Sequence, residues 1–189
     1  MKVSTKGFTL IELIIVIGII AVLGTVSVLA LNPAQLFAQA RDTTRISDLG
    51  TLQNAINLYV SDAATPDMDG TGGAFTCGTN FGASVAGATD GFVGTPILAQ
   101  AGVRTTGGLG WVPIVFSGMT GGSPLAVLPI DPTNTTAFNY QYSCNNTAKT
   151  FELNTTLEST KYTTGAGDRV TTDGGDNATA FEVGSSLVL

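Results

Sequence analysis

Histidine is absent from the sequence, and charged side chains are scarce. Histidine is the commonest general base and a frequent metal ligand, so its absence argues against hydrolytic and acyl-transfer enzymes. Charged residues make up 12% of the 189 residues, whereas an ordinary soluble domain has roughly 25%. This composition favours a non-enzymatic chain with a polar but weakly charged surface.

The sequence also lacks a basic patch. From Asp62 onward only four basic residues oppose eleven acidic ones, and the net charge of the chain is -6. Phosphate binding needs clustered Lys and Arg side chains, so nucleic-acid binding is not indicated for an isolated copy. The length suits one modest globular domain with an appended segment.

Cysteine is scarce too: Cys77 and Cys144 are the only two, and they lie far apart. A chain whose domain lies outside the cytoplasm would join them in a disulfide. A cytosolic chain would instead keep them as two buried free thiols. The amino-terminal segment decides between these alternatives.

Residues 8–31 are apolar at nearly every position, which is long enough for a helix that spans a bilayer. Lys2 and Lys6 precede this run, so the positive-inside rule places the amino terminus in the cytoplasm and the globular part outside. A carboxylate inside the run, at Glu12, is costly in lipid and needs a partner or access to water. A secretory signal cleaved before Leu31 is the alternative, but signal cores are shorter, about 7–15 residues.

Residues 1–7 read MKVSTKG and residues 8–13 read FTLIEL, followed by the apolar run. This start of the chain resembles the class III leader of type IV prepilins and type II secretion pseudopilins. The resemblance implies that prepilin peptidase cuts between Gly7 and Phe8 and methylates the Phe8 amine. It also implies that Glu12 pairs with the Phe8 amine of a neighbouring subunit in a filament, which offsets two burial costs.

The resemblance and the residue patterns together predict an α+β, pilin-like fold. The leader is residues 1–7, the filament-core helix 8–31, the amphipathic second half 32–62 and the extracytoplasmic domain 63–189. Pro33 should break the helix, with a kink or local unwinding between about Gly24 and Pro33. Apolar residues then recur at helical spacing in the second half, at Ile46, Leu49, Leu52, Ile56 and Tyr59.

In the globular part, the pattern predicts a long irregular connection followed by a small antiparallel sheet. Residues 63–94 form the connection, and residues 111–116 and 125–128 are predicted strands. Alternating side chains from Phe138 to Cys144 and from Phe151 to Leu157 predict a hairpin that faces the core. The apolar tail made of Val183, Leu187, Val188 and Leu189 is expected to pair as a last strand.

The acidic turn near the carboxyl end offers hard oxygen ligands from Asp173, Asp176 and Asn177, a type of cluster that calcium accepts. Their spacing fits no EF-hand, and a solvated acidic loop is the alternative. Resemblance to the major pseudopilins, which carry a calcium site near this end, supports the hypothesis. No cofactor is otherwise required.

The function predicted from the sequence is that of a non-catalytic pilin. The subunit would wait in the membrane as a single-pass protein and be assembled by pilus machinery into an extracellular homo-oligomeric filament for adhesion, motility or DNA uptake. A major pseudopilin of a periplasmic secretion filament is one alternative. A monomeric anchored or secreted domain that binds calcium or another ligand is the alternative from a different class.

Overall fold

The computed structural model describes residues 7–70, 75–88, 91–92, 95–96 and 100–189. The chain divides into two compact units, residues 1–37 and residues 38–189. Each unit has its own physical character. The first exposes its apolar side chains, whereas the second buries them in a core.

Two helices meet in the first unit, α1 (Leu10–Leu31) and the start of α2 (Pro33–Asp62). The interruption is confined to Asn32, whose φ of 43° is left-handed, and α1 stays helical from Gly24 to Leu31. Proline lacks the backbone N–H that a continuous helix would need at position 33, and asparagine tolerates the left-handed region. The break therefore lies at the Asn-Pro step.

All the α1 side chains that the structure describes are exposed. The 22 residues of α1 extend about 33 Å at 1.5 Å per residue, close to the thickness of a bilayer core. By length and composition, the helical segment near the amino terminus could cross a membrane.

In the second unit, α2 buries one face against a five-stranded sheet. The predicted apolar positions Leu49, Leu52, Ile56 and Tyr59 lie in the core, and Ile46 packs partly buried at its edge. The strands in chain order are β1 (Asn80–Ala83), β2 (Thr95–Pro96), β3 (Tyr140–Asn145), β4 (Thr150–Thr155) and β5 (Phe181–Gly184). A 3-10 turn (Phe116–Gly118) and a short helix α3 (Thr160–Thr163) complete the elements.

The sheet has the strand order β2-β1-β3-β4-β5. Four strands are antiparallel neighbours, and only the two-residue β2 runs parallel to β1. A long amino-terminal helix on a small antiparallel sheet is the α+β, pilin-like arrangement that the sequence predicted, so the fold prediction is confirmed.

The predicted hairpin is β3 and β4. Tyr142 lies opposite Leu153 and Cys144 opposite Phe151, and all four side chains are in the core. Successive strand residues point to opposite faces, so the polar residues between them share the other face of the sheet. We call this set the polar face: Gln141, Ser143, Glu152, Asn154 and Glu182.

The two predicted strands at residues 111–116 and 125–128 are wrong. These segments are irregular, with one isolated bridge between Gly107 and Val115. In the first segment most side chains are buried nevertheless: the Trp111 indole N–H donates to the Pro129 carbonyl at 2.9 Å, and its ring packs near Tyr140. In the second segment Leu128 is buried, but Val127 is 50% exposed. A short apolar run reports burial, and here burial comes without strand pairing.

The prediction of an irregular connection over residues 63–94 also needs correction, because β1 lies within it. Gly82 in β1 approaches the Trp111 segment so closely that a Cβ there would lie 1.8 Å from the Trp111 carbonyl oxygen. The tail differs from its prediction as well. Val183 belongs to β5, but residues 187–189 form no strand.

A buried ion-pair network joins α2 to the loops beyond the sheet. Arg45 is fully buried and contacts Asp42 at 2.8 Å, Asp131 at 2.5 Å and Glu158 at 2.5 Å. Burial raises the pKa of Asp131, but the hydrogen bond from Arg45 outweighs burial and holds this pKa below its usual range. Arg41 adds a more exposed ion pair to Glu158.

The two cysteines form a disulfide between Cys77 and Cys144, which bridges 67 positions of sequence. Cys144 lies on β3, and Cys77 lies in the segment before β1. The disulfide predicted for an extracytoplasmic domain is therefore present, and it fastens the connection to the sheet.

Candidate functional site

The predicted processing site lies at the exposed start of the first unit. Residues 1–6 of the predicted leader are outside the described residues. Gly7 and Phe8 are both exposed, and the Phe8 side chain is 88% exposed. A Cβ at Gly7 would meet no atom within 4 Å, so the fold itself does not require glycine there. Cleavage between them stays a prediction.

Glu12 forms a reciprocal cap with Thr9 at the start of α1. The Thr9 backbone N–H and the Thr9 hydroxyl each donate to Glu12 Oε2 at 2.8 Å, and the Glu12 N–H donates to Thr9 Oγ1 at 3.3 Å. This is a capping box, which satisfies donors that a helix start leaves free. The exposed carboxylate is thereby held in place at the first turn of the helix.

Only one Glu12 oxygen takes part in this cap. Within the described residues, no hydrogen bond reaches Glu12 Oε1. The charge near the helix start also complements the helix dipole. The arrangement can therefore present a fixed negative charge to a cation while the helix stays capped, and none of the described residues supplies that cation.

The surface around Glu12 is apolar along the whole of α1. Its large exposed hydrophobic side chains include Ile11 at 66%, Leu13 at 60% and Leu23 at 60% exposure. A soluble monomer rarely carries an apolar surface of this extent in water. The helix therefore needs lipid or other apolar helices around it.

Comparison with known proteins agrees with this geometry. Residues 3–28 match the family model described as the prokaryotic N-terminal methylation motif. No curated protein and no solved structure gives a significant match to the chain. The family match confirms the resemblance to type IV pilins and pseudopilins, and the motif points to a structural subunit.

The motif also bears on the partners and location of the chain. A prepilin leader implies processing by prepilin peptidase and assembly into a pilus or a pseudopilus. The leader and the apolar helix agree with a membrane-anchored subunit before assembly.

Two of the three predicted calcium ligands, Asp173 and Asn177, use their side-chain oxygens for hydrogen bonds within the turn and to β5. Both Asp173 oxygens accept backbone hydrogen bonds, Oδ1 from Gly175 at 3.0 Å and Oδ2 from Glu182 at 2.8 Å. Asn177 Oδ1 accepts from the backbone N–H and the hydroxyl of Thr179. These oxygens shape the turn, so a calcium site made of Asp173, Asp176 and Asn177 stays a prediction.

Asp176 lies instead with two glutamates of the polar face. One carboxylate oxygen from each of Glu152, Asp176 and Glu182 lies within 4.8 Å of the other two. Both glutamates are only 1% exposed, whereas Asp176 is exposed. We call these three residues the carboxylate cluster.

The glutamates are fixed by backbone donors. The Leu189 N–H donates to Glu152 Oε2 at 2.9 Å, and the Asn177 N–H donates to Glu182 Oε2 at 3.0 Å. Burial, followed by the neighbouring Glu152 carboxyl, raises the pKa of Glu182 to about 8. This pair therefore does not hold two negative charges at neutral pH unless a cation neutralises them.

Sequence reasoning missed Thr9 and the two glutamates. The pattern Thr-x-x-Glu from Thr9 to Glu12 is a capping-box signal and could have been read from the sequence. Glu152 and Glu182 carried no comparable signal. Their proximity depends on the register of β4 with β5, where Asn154 lies opposite Glu182 and Glu152 lies two residues away along its strand.

Proposed function

We propose that this chain is a pilin that polymerises into an extracellular type IV pilus-like filament. The observation that carries the proposal is the methylation motif continuing into a fully exposed apolar helix whose first turn holds Glu12 in place. The membrane would store processed monomers, and assembly would exchange lipid around α1 for neighbouring copies of α1. The chain would make or break no covalent bond itself.

Glu12 would fix the position of one subunit against the next. After cleavage the Phe8 amine is a cation at the start of an apolar helix, and a neighbour's Glu12 is the available counter-charge. Each charge alone is costly in an apolar bundle, while the pair is mutually satisfied. The capping hydrogen bonds from Thr9 leave Oε1 for this contact.

The disulfide-fastened domain favours a surface filament, because an extracellular polymer bears mechanical load; the oxidising environment itself suits both locations, since the periplasm also supports disulfides. A periplasmic pseudopilus of a secretion system is the second candidate. It is supported by the small sheet and by the carboxylate cluster near the end of the chain, where major pseudopilins carry calcium. The two candidates differ in where the filament is found.

Mass spectrometry of the amino-terminal peptide, from material sheared off cells, tests the proposal. A peptide that begins at methylated Phe8 in the sheared fraction is expected for a surface pilus. The same peptide found only in the periplasm would favour the pseudopilus. A peptide that begins at Met1 or Leu31 would overturn both and leave an anchored or secreted binding domain.

Three variants separate the pairing role of Glu12 from its capping role. Glu12→Gln keeps a side-chain oxygen for the cap but removes the charge, whereas Thr9→Val keeps the charge and removes the hydroxyl cap. We expect Glu12→Gln and Glu12→Ala to be processed yet to give few or short filaments, and Thr9→Val to assemble. Normal filaments from Glu12→Gln, observed by electron microscopy, would contradict the pairing role.

A further inference from the structure

The Asn146 carboxamide, at the tip of the β3–β4 hairpin, is held at both of its ends. Its Oδ1 accepts hydrogen bonds from the Met68 N–H at 3.0 Å and from Lys149 Nζ at 2.8 Å. Its Nδ2 donates to Asp69 Oδ1 at 2.6 Å and to Asp67 Oδ1 at 3.2 Å. The oxygen therefore faces donors and the nitrogen faces carboxyl groups. A reaction that displaces an amide nitrogen needs this arrangement, because it stabilises the oxygen and places an acid beside the leaving group.

Lys149 brings a nucleophile to this amide. Its backbone is left-handed, with φ of 57°, a conformation that lysine rarely adopts, and its side chain reaches back to Asn146. A C=O bond is about 1.23 Å long, so Nζ lies within about 4 Å of Asn146 Cγ. Reacting atoms in productive geometry are about 3–3.5 Å apart. A small movement of the lysine side chain, which is only partly buried, closes the difference.

No ion pair holds the Lys149 ammonium in its charged form within the described part of the chain. The ion pairs there all involve Arg41 or Arg45. Lys149 is partly exposed, so water can take its proton. The neutral amine is the nucleophilic form of lysine, and a small fraction of it suffices when the reaction that follows releases ammonia and is not reversed.

The two aspartates beside Asn146 Nδ2 have different affinities for a proton. Burial, followed by the hydrogen bond with Asp67, raises the pKa of Asp69 above its usual value. The same hydrogen bond lowers the pKa of Asp67. Asp69 is therefore the carboxyl of the pair that keeps a proton and can give it to a departing nitrogen, whereas Asp67 stays ionised.

We propose that Lys149 and Asn146 form an intramolecular isopeptide bond, with Asp69 as the acid that protonates the leaving nitrogen. Lys149 Nζ, after losing a proton to water, forms a bond to Asn146 Cγ, and the Met68 N–H stabilises the charge that develops on Oδ1. The Cγ–Nδ2 bond then breaks. Nδ2 takes a proton from Asp69 and leaves as ammonia, and Nζ returns a proton to the Asp69 carboxylate. The chain loses one ammonia, and nothing is oxidised or reduced.

The bond would close the tip of the hairpin covalently. Residues 146–149 connect β3 to β4, and Cys144 of the disulfide lies two residues before Asn146. The end of the hairpin would then carry two covalent links, the disulfide to the connection and the isopeptide bond across the turn. The modified lysine would also lose its charge, so trypsin would no longer cleave after Lys149. The inference concerns the second unit and is independent of filament formation.

Mass spectrometry of the full chain, purified in detergent and incubated at mildly alkaline pH, tests the proposal. We expect the mass to fall by that of one ammonia, and we expect a branched tryptic peptide that contains Asn146 joined to an uncleaved Lys149. Asp69→Asn should form the bond about a hundredfold more slowly, since general acid catalysis contributes about 10²–10⁴-fold. Lys149→Arg should keep its full mass, whereas Lys161→Arg, which changes an exposed lysine that rests on the Tyr162 ring, should lose ammonia as the unmodified chain does.

The variants also separate the isopeptide bond from a cyclic imide, which an asparagine can form with its own backbone and which loses the same mass. A loss of ammonia that persists in Lys149→Arg would assign it to the imide and overturn the proposal. A full, unchanged mass in the unmodified chain after prolonged incubation would overturn it too, since the contacts of Asn146 would then be hydrogen bonds only. Equal rates in Asp69→Asn and the unmodified chain would contradict the role of Asp69. Lys149 is partly exposed at a turn, so Lys149→Arg is expected to fold.

Discussion

Replacing Arg45 tests how much the buried ion-pair network contributes to the unfolding free energy. The guanidinium is fully buried and contacts three carboxylates, two of which, Asp42 and Asp131, are themselves buried. Arg45→Gln would leave those carboxylates without a counter-charge. Removing one partner of a buried pair costs about 3–5 kcal/mol in unfolding free energy.

That loss converts into a measurable change in unfolding temperature. For a unit of about 150 residues, 1 kcal/mol corresponds to roughly 2–4 °C, so Arg45→Gln should unfold about 6–20 °C below the unmodified chain. The single tryptophan, Trp111, is fully buried in the second unit, so its fluorescence reports the unfolding of that unit.

Arg41→Gln is the matched control. Arg41 lies one helical turn away on α2, but its side chain is 35% exposed, and among the described acidic residues it forms an ion pair only with Glu158. Solvent screens this partly exposed pair more than it screens the fully buried ones, so this variant should shift the unfolding temperature less than Arg45→Gln does. Equal shifts for the two variants, or a shift of less than about 2 °C for Arg45→Gln, would refute the reasoning that burial makes this network important.

Two further predictions concern the same unit. Removing the disulfide with the double variant Cys77→Ser/Cys144→Ser should lower the unfolding free energy by about 4 kcal/mol, because the bond closes a loop of 67 positions. Denaturant titration followed by Trp111 fluorescence measures this free energy. The double variant should match the reduced unmodified chain, and a large difference between them would show that the serines disturb packing. The arginines hold the pKa of Glu158 and Asp131 below the ordinary values of 4.5 and 3.8. The stability that these two carboxylates contribute is therefore fully present above about pH 4.5 and is lost as pH falls through the lowered pKa values. Arg45→Gln should lose less stability in acid than the unmodified chain, and identical profiles of stability against pH would contradict this prediction.

The amino-terminal part of the molecule could be predicted from local sequence. The apolar run makes a helix wherever water is excluded, and its length matches a bilayer without reference to any other part of the chain. The helix break at Asn32 and Pro33 is equally local, because proline lacks the donor that the helix needs. Thr9 and Glu12 are three residues apart, so the capping box can also be predicted from local sequence.

The sheet was only partly predictable. Clear alternation predicted the hairpin, since residues two apart share a face whatever the strand pairs with. Residues 111–116 were wrongly predicted as a strand, because an apolar run indicates burial but not strand pairing. Their side chains are buried in an irregular segment that the hydrogen bond of the Trp111 indole holds in place. The strand β1 was missed because its sequence, Asn-Phe-Gly-Ala, has a glycine where the backbone of another segment approaches.

The sequence by itself determined the apolar helix, its charged first turn and the prepilin-type leader, because these depend on residues that are close together along the chain. Tertiary structure alone decided which acidic residues meet. Asp131 and Glu158 lie 86 and 113 positions from Arg45, and Glu152 and Glu182 meet only through the pairing of β4 with β5. Electrostatic interactions act through space, so the ion-pair network and the carboxylate cluster exist only once the fold has brought these side chains together.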